Sequence, residues 1–129
     1  MQKPNTKNTN QNSKTEFKTR VYFYTVESLK FIKTIGRDNV NRIITDQLIR
    51  SLTSIGANII EAKACNSKRD FARYFDIALK SANETKYWLC LLRDTNESID
   101  KSKIEEIMKE TIEISNILAS SLLTMRNKN

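Results

Sequence analysis

The 129-residue chain has no histidine, one proline, two glycines and two cysteines. Without histidine there is no imidazole base, no histidine-assisted nucleophile and no Glu-x-x-His metal site of the ferritin type. Most familiar enzyme mechanisms are thereby closed, so the expectation is a non-enzymatic protein with no metal and no cofactor. The scarcity of glycine and proline argues against a turn-rich β domain and for a few long helices. No apolar run is long enough to span a membrane. The opening "MQKPNTKNTNQNSKTE" lacks the apolar stretch of a signal peptide, which makes a cytoplasmic location the expectation. In that setting Cys65 and Cys90 are expected as small buried hydrophobes in preference to a disulfide or redox pair.

What is present fits one soluble domain: 39% apolar and 29% charged residues leave room for a modest core. Residues 1–16 are Asn, Thr, Lys, Gln and Ser without apolar periodicity, and they read as a disordered polar and basic tail. From Phe17 onward, Phe17, Val21, Tyr24, Ser28, Phe31 and Ile35 recur at steps of four and three, which predicts a helix over 17–35 ended by Gly36. Asp38 or Asn39 then caps a second helix over 40–64, whose stripe is Ile44, Leu48, Leu52, Ile55, Ile59 and Ala62. In "CNSKRD", Ser67 and Asp70 form an S-x-x-D capping box that starts a third helix over 68–94. That helix carries two seams: Phe71, Phe75, Ala78, Ala82, Thr85, Leu89 and Leu92, and beside them Tyr74, Ile77, Ser81, Glu84, Trp88 and Leu91. Asp100 caps a fourth helix over 101–126, with Ile99 and Ile104 as a hydrophobic staple. Its stripe is Ile104, Ile107, Thr111, Ile114, Leu118, Ser121 and Met125, flanked by Met108, Ile112, Ser115, Ala119 and Leu122. The predicted fold is all-α, an antiparallel up-and-down four-helix bundle over 17–126.

Gly56 falls inside the second helix, and "SIGAN" has neither the spacing nor the lysine of a phosphate-cradling loop. Ser54, Gly56, Ala57 and Asn58 are instead expected to let a neighbouring helix approach closely. Glu61 and Glu84 occupy or flank apolar stripes, and a buried Glu needs a partner, so an ion pair with Arg50 or another base is expected rather than acid catalysis. Glu105, Glu106, Glu110 and Glu113 read as solvated charge along the last helix. Tyr74 and Trp88 lie on an apolar seam, where core packing is favoured over base stacking.

Charge is uneven along the chain. Residues 1–93 hold 17 Lys and Arg against 8 Asp and Glu, whereas 94–129 hold 5 against 7. Repeated in a ring of subunits, the basic part would attract polyanions. On the third helix Arg69, Arg73 and Lys80 fall within about 40° of one another at 100° per residue, and Lys86 and Arg93 share another face. These five are the candidate nucleic-acid contacts, set against the plainer reading of a solvated face.

The segments "RSLTSIGANIIEA", "SKRDF" and "IALKSANETKYWLCLLRD", in that order, resemble the core of the bacterial four-helix bundle proteins related to those encoded by intervening sequences in 23S ribosomal RNA genes. Such proteins are similar in fold to the accessory variability protein of diversity-generating retroelements, a basic homopentamer that binds a reverse transcriptase and nucleic acid. The resemblance implies a homopentameric ring; the paired seams by themselves are only compatible with one. The favoured function is an oligomeric scaffold that binds RNA or DNA through its basic surface, with an adaptor for a reverse transcriptase as the alternative. A hydrolase built on Glu61 or Glu84 is the least favoured reading.

Overall fold

The computed structural model describes residues 13 to 127 and forms four helices: α1 (Ser13–Ile32), α2 (Asn39–Lys63), α3 (Lys68–Thr95) and α4 (Lys101–Asn127). No strand occurs among the described residues. The expected tail lies outside them as far as residue 12, but its last four positions belong to α1 rather than to a tail. Glu16 sits in the first turn of that helix, where a carboxylate meets the positive end of the helix dipole. At its other end α1 stops three residues short of the predicted bound. Thr34 N–H donates to Phe31 O at 2.9 Å and Ile35 N–H to Ile32 O at 3.1 Å, an i to i−3 tightening that closes the last turn. Ile35 still packs into the core at 8% exposure, so its place in the stripe was right although its backbone is not helical.

The caps follow from local chemistry. Asp38 accepts from Asn41 N–H at 2.8 Å, Ser67 Oγ from Asp70 N–H at 3.2 Å and Asp100 Oδ1 from Lys103 N–H at 3.1 Å. Only half of the expected box at Ser67 forms, because the Asp70 carboxylate lies 3.8 Å from Arg73 Nε instead. Every member of the α2 stripe is buried, as are Phe75, Ala78, Ala82, Thr85, Leu89 and Leu92 on α3 and Ile104, Ile107, Thr111, Ile114 and Leu118 on α4. Phe71, Ile99 and Met125 pack half-buried against this core.

Contacts run around a ring. α2 and α3 share the most extensive interface, α3 packs next on α4, and α1 joins α2 and, least extensively, α4. Small polar side chains line the α2–α3 interface: Thr85 Oγ1 bonds Ser51 Oγ at 2.9 Å, and Ser81 Oγ bonds Ser54 Oγ at 3.0 Å. Asn41 and Asn96 exchange amide hydrogen bonds at 2.8 and 2.9 Å. Partner numbers on α3 and its C-cap thus fall from 96 through 85 to 81 as those on α2 rise from 41 through 51 to 54. Gly56 faces α1 rather than α3: a Cβ placed there would lie 3.5 Å from Val21 Cγ1, an ordinary van der Waals distance. The close approach expected at Gly56 therefore does not require glycine. Asn58 holds its own helix, donating to Ser54 O at 2.8 Å and Ser54 Oγ at 2.9 Å.

Candidate nucleic-acid interface

Ser67 starts α3 in such a register that the core stripe faces inward and Arg69, Arg73 and Lys80 face solvent, all three exposed. Their acidic neighbours are close by in sequence. Arg73 lies 3.8 Å from Asp70, and Lys80 Nζ lies 3.5 Å from Asp76. Such exposed pairs are worth about 0–1 kcal/mol and are readily exchanged for a phosphate. Arg69 makes no ion pair among the described residues. The Arg73 guanidinium covers the Tyr74 ring at 4.7 Å from its centroid, a cation–π contact that holds the arginine along the helix surface.

Lys86 and Arg93 share the side of α3 that turns toward α4, and their surroundings differ from those of the stripe. Lys86 Nζ donates to Asn83 Oδ1 at 3.0 Å, and partial burial pulls its ammonium below the ordinary lysine range. Arg93 donates to Asp94 at 2.9 Å and to Glu105 at 3.0 Å, while Lys101 Nζ donates to Arg93 O at 2.8 Å. The hydrogen bond to Asp94, then that to Glu105, raises the Arg93 guanidinium above its usual value, and the same bond holds Asp94 below the usual carboxylate range. Arg93 closes the α3–α4 turn, so the three residues that stay available on one face are Arg69, Arg73 and Lys80.

The glutamates of the apolar stripes take other positions. Glu61, Glu84 and Arg50 are all exposed, and no ion pair joins either glutamate to Arg50. Glu84 lies at the edge of the α2–α3 interface, where its Oε2 accepts from Trp88 Nε1 at 3.0 Å. The expected buried ion pair is thus replaced by a tether for the indole, which is half-buried. Cys65 and Cys90 are free and half-buried rather than fully enclosed. Cys65 Sγ donates to Glu61 O at 3.3 Å.

One polar cluster was not anticipated. Arg20 on α1 grips Glu110 with two bonds of 2.8 and 2.7 Å and Glu113 with a third of 2.8 Å. Hydrogen bonding to Arg20 is the main reason that the Glu110 carboxyl lies below its ordinary value. Beneath this cluster Tyr24 Oη meets Thr111 Oγ1 at 2.6 Å, and burial drives the Tyr24 phenol well above its ordinary pKa. The cluster lies along a groove of about 580 Å³ between α1 and α4 that includes Phe23, Ile107 and Lys109. Sequence carried one signal for it: Glu110 and Glu113 are three apart, so they share a face.

Among the described residues no group of three or more His, Cys, Asp or Glu could hold a metal ion, and no helix is long and apolar enough to cross a membrane.

Comparison with known proteins gives two results. A solved structure from Bacteroides thetaiotaomicron VPI-5482, described as a protein with unknown function from the S23 ribosomal protein family, is 38% identical. The match covers 82% of this chain and 97% of that one, with a TM-score of 0.75. No curated protein matches. The family model of the 23S rRNA-intervening sequence protein matches residues 12–120, which takes in all of α1, α2 and α3 and most of α4. The chain belongs to the 23S rRNA-intervening sequence protein family.

Proposed function

We propose that this protein is a non-enzymatic, oligomeric scaffold that binds nucleic acid through the outer face of α3. The observation that carries this reading is the shared exposed face of Arg69, Arg73 and Lys80, of which Arg73 and Lys80 are held only through exposed pairs and Arg69 makes no ion pair among the described residues. Lys and Arg placed in this way bind phosphates by releasing counterions, without reading sequence. The formal charge of +7 adds a long-range attraction for polyanions. The helices are arranged up and down, each antiparallel to the next, as the descending α2–α3 partner numbers and the short connections support. Five subunits in a ring is the assembly we propose, from the resemblance to the pentameric accessory proteins. Light scattering after size exclusion should show one discrete oligomer, and a monomer at micromolar concentration would contradict it.

Replacing Arg69, Arg73 and Lys80 together with glutamate tests the binding face. Affinity should fall alike for every RNA and DNA sequence, while changing Glu105 and Glu106 to glutamine should not lower it. Arg69 lies in the first turn of α3, so circular dichroism and oligomer mass accompany the measurement. A folded triple variant that binds as well as the parent removes the proposal. A protein partner, such as a reverse transcriptase, is the second reading. It is favoured by the exposed apolar side chains Tyr22, Val40, Ile43 and Ile60 on α1 and α2.

A further inference from the structure

Tyr87 is 58% exposed on a helix face that also carries Arg69, Arg73, Asp76, Lys80 and Asn83. Eighteen residues, five full turns of about 27 Å, separate it from Arg69, and Lys80 lies seven residues before it, so all three occur within about 20° of one line along α3. Arg73 lies about 40° from the same line. The phenol ring meets the Trp88 indole edge to face at 5.1 Å and 67°, and that indole is tethered by Glu84 and half-buried against the core. The ring is therefore held at one edge with much of its surface open. Tyr74 differs, because the Arg73 guanidinium already covers its ring.

We infer that Tyr87 is a stacking platform for an unpaired base, and that the ligand of the α3 face is single-stranded nucleic acid. The inference deepens the nucleic-acid reading above and rests on it. A duplex presents phosphates to the outside of a helix and keeps its base faces stacked within, so it could use Arg69, Arg73 and Lys80 but not an aromatic ring in their line. A single strand offers both groups: its backbone follows the bases along α3 while one base turns onto the ring. Such stacking tolerates any base, because every base has a π-face. It therefore needs no base-specific contact beside the ring.

Trp88 is the only tryptophan of the chain and reports on its neighbour. The test uses the full chain, a mixed-sequence single-stranded RNA and the matched duplex, with fluorescence anisotropy for affinity and Trp88 emission for stacking. Tyr87→Ala should weaken single-strand binding by about 5- to 100-fold, the usual effect of losing one base–aromatic stack. Duplex binding should change less than about twofold, since phosphate contacts remain. Tyr87→Phe should bind like the parent, and Tyr22→Ala, which removes an exposed tyrosine from α1, should have no effect. Single strands should change the Trp88 emission of the parent and duplex should not. Equal loss for both ligands, no loss for either, or a lower oligomer mass in Tyr87→Ala overturns the inference; the last outcome makes Tyr87 a subunit contact. If the parent binds neither ligand, the nucleic-acid reading fails with it. If the parent binds both and only the triple glutamate variant is impaired, that reading stands and the stacking platform does not.

Discussion

Replacing Asn96 with alanine tests how the bundle is locked at one end. Asn96 caps the end of α3, and its side chain donates to Asn41 Oδ1 at 2.9 Å, to Leu92 O at 2.9 Å and to Thr95 Oγ1 at 3.3 Å, and accepts from Asn41 Nδ2 at 2.8 Å. Asn41 is 4% exposed, and its Nδ2 keeps a bond to Gly36 O at 2.8 Å in the variant. Its Oδ1 loses the partner provided by Asn96. A buried acceptor left unmade costs about 1–3 kcal/mol. Water can enter beside half-exposed Asn96, so the lower half of that range, about 1–2 kcal/mol, is expected. For a chain of this size that lowers Tm by roughly 3–8 °C. Urea unfolding followed by circular dichroism, at a fixed protomer concentration, measures the loss directly. Combining Asn41→Ala with Asn96→Ala should cost less than the two single changes added together, with a coupling of about 0.5–2 kcal/mol. Additive losses, or a single variant within about 0.3 kcal/mol of the parent, would show that the amide pair does not join the α1–α2 turn to α3.

Gly56→Ala should stabilise the protein by about 0.5–1 kcal/mol, because the added methyl reaches Val21 at an ordinary distance and the unfolded chain loses freedom; a decrease in urea midpoint would show that α1 packs more tightly there. Leu92→Ala, at a side chain with 0% exposure, should cost about 2–5 kcal/mol by the same unfolding assay, and a loss under about 1 kcal/mol would place that site outside the core. The Glu110 carboxyl is held below its ordinary value of 4.5 in the folded protein. Its contribution is therefore present above that value and is lost as pH falls through the lower folded one. Arg20→Met should flatten the acid side of the stability profile, and an unchanged profile would mean that the α1–α4 cluster does not act.

Legibility in the sequence followed the range of each interaction. The α2 stripe from Ile44 to Ala62 could be read because the core demands one apolar side chain per turn, and the demand repeats along the helix. Ser67 and Asp100 could be read, and Asp38 as one of two candidates beside Asn39, because a cap acts on an amide three residues away. Arg20 with Glu110, and Asn41 with Asn96, could not: these partners are 90 and 55 residues apart, and many other polar residues would have served as well on paper. Glu84 was misplaced for another reason. Its wheel position beside the apolar stripe of α3 does not say how far the neighbouring helix extends, and α2 leaves that edge open to solvent. Tyr87 was passed over because it fits neither seam, although its position in line with Arg69 and Lys80 was present in the numbering. The start of α1 was missed since residues 13–16 contain no apolar side chain to continue the stripe.

The salt dependence of nucleic-acid binding tests the basic face of α3 most directly. Affinity of the full-length protein for a mixed-sequence single strand is measured across a range of potassium chloride, and the logarithms are plotted against each other. Three phosphate contacts by Arg69, Arg73 and Lys80 should give a slope of about −2 for each engaged subunit. The triple glutamate variant should lose that slope together with the affinity. An affinity that does not vary with salt, or a slope that the three substitutions leave unchanged, would contradict a nucleic-acid interface on α3.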